Sequence, residues 1–180
     1  MIIVRLCKVT LVAAVALFFT LVTAGNVTDY GSNWQFVQHV LSMDTTFPAS
    51  KLHWRAITDP AIQQAVYWLI IATQGGAAVL LWLGTLRLLG TIATAGFMRA
   101  RTLAVVGLTV GLLLYMVGFV TIGGEWFTMW QSATWNGQQK AFEFITMISA
   151  VLIVLVLPED DRPESNSTGS RSRNVWVDPD

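Results

Sequence analysis

The sequence predicts an all-α membrane protein, a four-transmembrane-helix bundle with a short amphipathic helix in the first outer loop. Two observations predict it. Three runs, Val9 to Thr28, Ala61 to Leu86 and Thr102 to Gly124, hold 20, 26 and 23 residues without one Asp, Glu, Lys or Arg. A helix needs about 20 apolar residues to cross the hydrocarbon core. A shorter uncharged run, Phe144 to Pro158, adds a fourth candidate. Composition agrees: 54% of the 180 residues are hydrophobic and 12% charged, against roughly 25% charged in a soluble domain. Eleven basic and eleven acidic residues cancel, so no global field attracts nucleic acid. The single cysteine, Cys7, excludes an intrachain disulfide and a multi-cysteine metal site.

The expected spans run over about 8–27, 60–86, 101–124 and 138–157, with 159–180 a disordered cytoplasmic tail. The first begins after Arg5 and Lys8 and fades near Asn26, where Asn26, Thr28, Asp29, Gly31 and Ser32 read as a loop. The same start has the outline of a signal peptide, with small residues Val22, Thr23 and Ala24 before Gly25, although its uncharged run is long for one. Ser32 and Gln35 match a capping box, and Trp34, Val37, Val40 and Leu41 recur on one helical face, predicting the amphipathic helix. Met43 to Pro48 reads as a turn. Asp59 and Pro60 then start the second span, Asp as the cap and Pro in the first turn.

That span exceeds the hydrocarbon thickness, and Gly75 and Gly76 are its expected bend or close contact. In the third span Gly107, Gly111 and Gly118 share a face; Gly107 and Gly111 form a small-xxx-small pair that suits packing within the bundle or a homo-oligomer contact. Trp126 and Trp130, four apart, read as neighbours on a helical turn. Asn136 with Gln139 is the expected cap of the fourth span, which Pro158 stops. The tail, with six acids, three basic residues and a Ser/Asn-rich centre, cannot build a core.

Orientation follows from Lys and Arg, which are retained on the cytoplasmic side near span ends. Arg5 and Lys8 precede the first span, Arg87, Arg99 and Arg101 crowd the second connection, and Arg162, Arg171 and Arg173 lie in the tail; only Lys51, Arg55 and Lys140 fall outside. Both termini are therefore expected in the cytoplasm, and even parity agrees.

Chemistry is less legible. Glu143 falls inside the outer end of the fourth helix, where an ionisable group is a proton carrier or ion ligand by default; the simpler reading pairs it with Lys140 at the interface. Glu125, at the outer end of the third span, is placed to face Arg55 or Lys140. His39 and His53 flank Asp44, the one conceivable transition-metal set, but their spacing matches no compact ligand signature. Five of eight tryptophans, Trp34, Trp54, Trp126, Trp130 and Trp135, lie in the outer connections, as interface anchors or as a recognition surface. No phosphate loop, nucleophile elbow or zinc-protease motif occurs. No catalytic set, metal or cofactor is assigned. Asn26-Val-Thr and Asn166-Ser-Thr are formal glycosylation acceptors, the second on the cytoplasmic side.

The runs Asn26 to Tyr30, Phe36 to Pro48, Trp54 to Ile57, Gly124 to Ser132 and Trp135 to Gln139 are long and specific. On them the chain, from the first helix to the end of the fourth, resembles a family of bacterial predicted small integral membrane proteins of unknown function. The resemblance implies a four-span protein of the bacterial inner membrane and carries no activity with it. The function expected on these grounds is non-enzymatic, an aromatic-rich periplasmic cap that binds a partner protein or lipid. A small proton-coupled transporter or channel using Glu143 is the alternative, and an enzyme built on His39, His53, Asp44 and Glu125 comes third.

Overall fold

The computed structural model describes residues 2–158; the expected tail, its three arginines and Asn166 lie outside the described residues. Six α-helices follow in order: α1 (Ile2–Thr28), α2 (Tyr30–Ser42), α3 (Pro60–Gly90), the short α4 (Phe97–Ala100), α5 (Thr102–Leu113) and α6 (Gln138–Val156). α5 continues into a wider helix, Leu114–Trp126, called here the π segment because its hydrogen bonds skip five residues. Two single 3-10 turns, His53–Arg55 and Met129–Gln131, sit in the connections.

Among the described residues four helical stretches are long and apolar enough to cross a membrane: Ile2–Thr28, Pro60–Gly90, Phe97–Trp126 and Gln138–Val156. Only 22% to 39% of their most apolar windows is buried inside the protein. The remaining apolar surface, with Leu21, Leu69, Val79 and Ile153 exposed on it, requires hydrocarbon as its solvent. α3 packs against α1 on one side and α5 on the other, and α6 closes the bundle against α5, the π segment and α1. Two apolar clusters result. One fills the bundle, with Phe19, Leu81, Leu88, Leu108 and Ile148 fully buried. The other lies under the outer connections, built on Val37, Val40, Met43, Tyr67, Ile71, Phe127 and Met129.

The helices run further than the uncharged runs that predict them. α1 includes Arg5 and Lys8, both buried, because their cations meet backbone carbonyls rather than lipid. Arg5 donates to Ile92 O at 3.0 Å and Thr94 O at 2.8 Å, just past the end of α3. Lys8 donates to Leu157 O at 3.0 Å and Arg101 to Val156 O at 3.0 Å, at the end of α6. Carbonyls at a helix C-terminus lack intrahelical donors and carry the negative end of the dipole. Lys8 and Arg101 thus cap α6, and Arg5 ties α1 to the turn that follows α3.

Several expectations change. Asn26 is not in a loop: α1 continues to Thr28, one residue separates it from α2, and Asn26 is buried. It therefore cannot present a glycosylation acceptor. α2 begins at Tyr30, so Ser32 lies inside it and the expected capping box is not its start. Asp59 does cap α3, accepting from Ala61 N at 2.8 Å, with Pro60 in the first turn. Asn136 accepts from Gln138 N at 3.1 Å, one residue outside the cap position it was expected to fill.

The tightest approach of α3 is not at Gly75 and Gly76, although Gly75 does face α1, a Cβ there standing in ordinary contact with Thr23 Cγ2 at 3.5 Å. A Cβ on Gly76 would meet nothing within 4 Å, whereas one on Gly84 would come within 2.6 Å of Ala104 N. Gly107 and Gly111 are spent inside the chain, against Leu80 and Leu81 of α3 and against Phe19 of α1 respectively. Any contact between copies would use another face. Gly118 leaves their row, because the five-residue hydrogen-bonded repeat starting at Leu114 rotates it out of phase.

Candidate functional site

The end of the bundle that holds the first and third connections carries the expected residues, and the structure gives them separate partners. His39, on α2, pairs with Asp44 through Nδ1 at 2.8 Å, and its ring stacks on Trp135 at 4.7 Å with planes 14° apart. His53 turns elsewhere: Nδ1 meets Ser50 O at 2.8 Å and Nε2 meets Thr46 Oγ1 at 3.1 Å. The two histidines and Asp44 therefore do not converge. Among the described residues no group of three His, Cys, Asp or Glu side chains is placed to hold a metal.

Arg55 lies between two tryptophans, its guanidinium 5.3 Å from the Trp54 ring and 4.5 Å from the Trp126 ring, and it donates to Trp126 O at 3.3 Å. The flat, weakly hydrated guanidinium suits such a slot. It is this carbonyl, not Glu125, that Arg55 finds; Glu125 is exposed. Lys140 is taken by Glu143, at 2.7 Å, both well exposed. Trp126 and Trp130 separate because the chain reverses at Thr128, which takes a left-handed conformation with φ 49°. Trp126 then packs edge-on to Trp54, and Trp130 edge-on to Phe47.

These contacts weld the first and third connections into one cap. Thr45 Oγ1 donates to Ser132 Oγ at 2.9 Å, Phe47 N donates to Gln131 Oε1 at 3.0 Å, and Arg55 adds the aromatic clamp. Replacing Arg55 with lysine keeps the charge but loses the flat face and the fork. The expected cost is about 0.5–2 kcal/mol, read as a lower melting temperature in detergent, with faster amide exchange in 50–57 and 126–132. An unchanged melting temperature and exchange pattern would show that charge alone matters there.

Beneath the cap lies a cavity of about 520 Å³. Phe36, Val37 and Val40 of α2 roof it, Leu69 and Ile70 of α3 form one wall, and Leu114, Val117 and Gly118 of the π segment form the other. Its lining is almost wholly apolar. The one hydroxyl in it, Thr73 Oγ1, is turned back to Leu69 O at 2.7 Å. Rim residues Leu69 and Val117 are 66% and 45% exposed, so the cavity opens sideways, between two spans, where hydrocarbon lies. Gly118 helps to create the volume: a Cβ there would meet only Leu114 of its own helix, at 3.7 Å.

Sequence reasoning missed a polar node next to this cavity. Asn26 Nδ2 donates to Gln74 Oε1 at 2.6 Å, Asn33 Nδ2 donates to Asn26 Oδ1 at 2.8 Å, and Tyr67 Oη donates to Asn26 O at 3.3 Å. One asparagine thereby joins α1, α2 and α3. The available signal was an amide in each of two apolar stretches, Asn26 and Gln74, since polar side chains in spans pair with one another.

A family model described as Predicted small integral membrane protein (DUF2165) matches residues 4–158. The chain belongs to that family. No curated protein and no solved structure matches it.

Proposed function

We propose that this member of the predicted small integral membrane protein family is non-enzymatic and holds a lipid beneath its aromatic outer cap. The observation that carries the reading is the apolar cavity between α3 and the π segment, open sideways and roofed by the amphipathic α2. Ligand sites of this size, about 300–1,000 Å³, are mostly apolar and largely pre-formed. A cavity that opens into hydrocarbon admits an aliphatic chain without passage through water. We place the protein in a bacterial inner membrane with both termini cytoplasmic, on the basic residues gathered at the end that holds Arg5, Lys8, Arg87, Arg99 and Arg101. The cap is then periplasmic. A proton-coupled transporter using Glu143 has less support, because that carboxylate is exposed and ion-paired with Lys140.

Lipid analysis of the purified full chain tests this. Wild type is expected to retain a lipid in near-stoichiometric amount through extensive detergent washing. Gly118→Phe, whose Cβ has room beside Leu114, adds a ring at the cavity wall and should retain at least about tenfold less, as an occluded apolar pocket forfeits the contacts of the chain. Equal, detergent-dilutable lipid in both proteins would overturn the reading.

A further inference from the structure

The apolar cavity has a polar neighbour. A second chamber, about 320 Å³, lies between α1, α2, α3, the π segment and α6, and shares Phe36, Val37, Ile70 and Phe119 with the first. Phe36 and Phe119, stacked with centroids 6.1 Å apart, stand where the two meet. The chemistry of the lining changes across those rings. Asn26, Asn33, Gln74, Tyr67 and Tyr115 all border the second chamber. Among the described residues no Asp, Glu, Lys, Arg or His lines either one.

Hydrogen bonding decides what the polar chamber presents. Asn26 spends its Oδ1 on Asn33 and an N–H on Gln74. Because Gln74 Oε1 accepts from Asn26, the Gln74 amide nitrogen faces the other way and donates one N–H to the Tyr115 hydroxyl oxygen, leaving its second N–H and the Tyr115 O–H as donors. That amide stands beside the Tyr115 hydroxyl, on a side chain that is 2% exposed. The wall therefore offers N–H and O–H donors, held in place from behind by Asn26. In a medium without water such donors favour an acceptor of their own. An uncharged oxygen acceptor satisfies them; a phosphate would bring a charge that no lining cation balances.

Resting on the lipid-holding reading, we propose that the two chambers form one site for an uncharged amphiphile with a carbonyl head. Its hydrocarbon chain lies in the apolar cavity, and its carbonyl oxygen accepts from Gln74 Nε2 and Tyr115 Oη. An isoprenoid quinone and a diacylglycerol share this chemistry. α3 and the π segment border both chambers, Leu69 and Val117 facing the hydrocarbon chain and Gln74 and Tyr115 the head group.

Native mass spectrometry of the full chain in detergent, titrated separately with a short-chain menaquinone, dioleoylglycerol and dioleoylphosphatidylglycerol, tests the assignment. Saturable binding of one molecule per chain is expected for an uncharged probe, and the probe that binds identifies the source. Tyr115→Phe keeps the ring and removes one donor, so it should weaken that binding about threefold to tenfold. Gln74→Leu should weaken it further. Phosphatidylglycerol binding as tightly as the uncharged probes, or Tyr115→Phe binding like wild type, would overturn the head assignment while leaving lipid holding intact. Binding of none of the three, with no lipid retained on purification, would remove both.

Discussion

Gly84→Ala is expected to destabilise the bundle by about 1–3 kcal/mol, while the same change at Gly76 stabilises it by ~0.8–1 kcal/mol. Both glycines lie in α3, so the intrinsic preference for alanine in a helix is the same at each. The surroundings differ. An added Cβ at Gly84 would stand 2.6 Å from Ala104 N and 2.8 Å from Ala104 Cα, which are backbone atoms and cannot rotate aside. α3 and α5 would have to separate. On either side of that point Leu81 and Leu88 are fully buried in the same cluster as Leu108, and separation would open the packing of all three. Gly84→Leu should exceed what the bundle tolerates and leave no cooperative transition. Gly76 has nothing within 4 Å of the Cβ position, so alanine there keeps only the propensity gain. Melting curves of both variants in one detergent read the difference directly. A Gly84→Ala protein as stable as wild type would mean that the approach of α3 to α5 is looser than the geometry states.

The contrast between these glycines explains which parts of the fold were legible. Span number and order were, because the absence of charge over twenty residues has one physical use. The Asp59 and Pro60 start of α3 was, because its partners are the next residues in the chain. Which glycine meets a neighbour was not. Gly75 with Gly76 is the conspicuous pair, but contact depends on the face that α5 covers, and α5 itself changes pitch at Leu114. The same change of pitch took Gly118 out of the Gly107 and Gly111 row and left a void beside it.

At the end that holds the first and third connections, most partners differ from those that spacing suggests. Glu143 and Lys140, three apart on one helix, meet as spacing dictates. His39, His53 and Asp44 share a connection, yet the turn after α2 brings only His39 to Asp44 and sends His53 to Ser50 and Thr46. Glu125 and Arg55 share a side of the membrane, yet two tryptophans and a carbonyl take the guanidinium. The cavity had no positive signal, since ordinary apolar residues line it.

The largest misreading, Asn26, supplies the second strong prediction. A cluster of Asn, Thr, Asp and Gly reads as a loop in water, where each polar group finds solvent. Within the bundle Asn26 finds Gln74 and Asn33 instead, and the helix continues. Asn26→Leu would leave the Gln74 acceptor and the Asn33 donor without it, at an expected cost of about 1–3 kcal/mol. The bond from Tyr67 goes to the Asn26 backbone and should survive. Amide exchange should rise first in α2, which loses its side-chain tie to α1. The double variant Asn26→Leu with Gln74→Leu removes both ends of the bond, and the coupling read from the cycle should be about 0.6–1.7 kcal/mol. If Asn26→Leu melts like wild type with α2 equally protected, the node does not hold the helices. The double variant also separates stability from binding. An apolar pair of similar volume can pack in place of two amides at little net cost, so a double variant that recovers its melting temperature yet no longer binds the uncharged lipid would mean that Gln74 is there for the ligand.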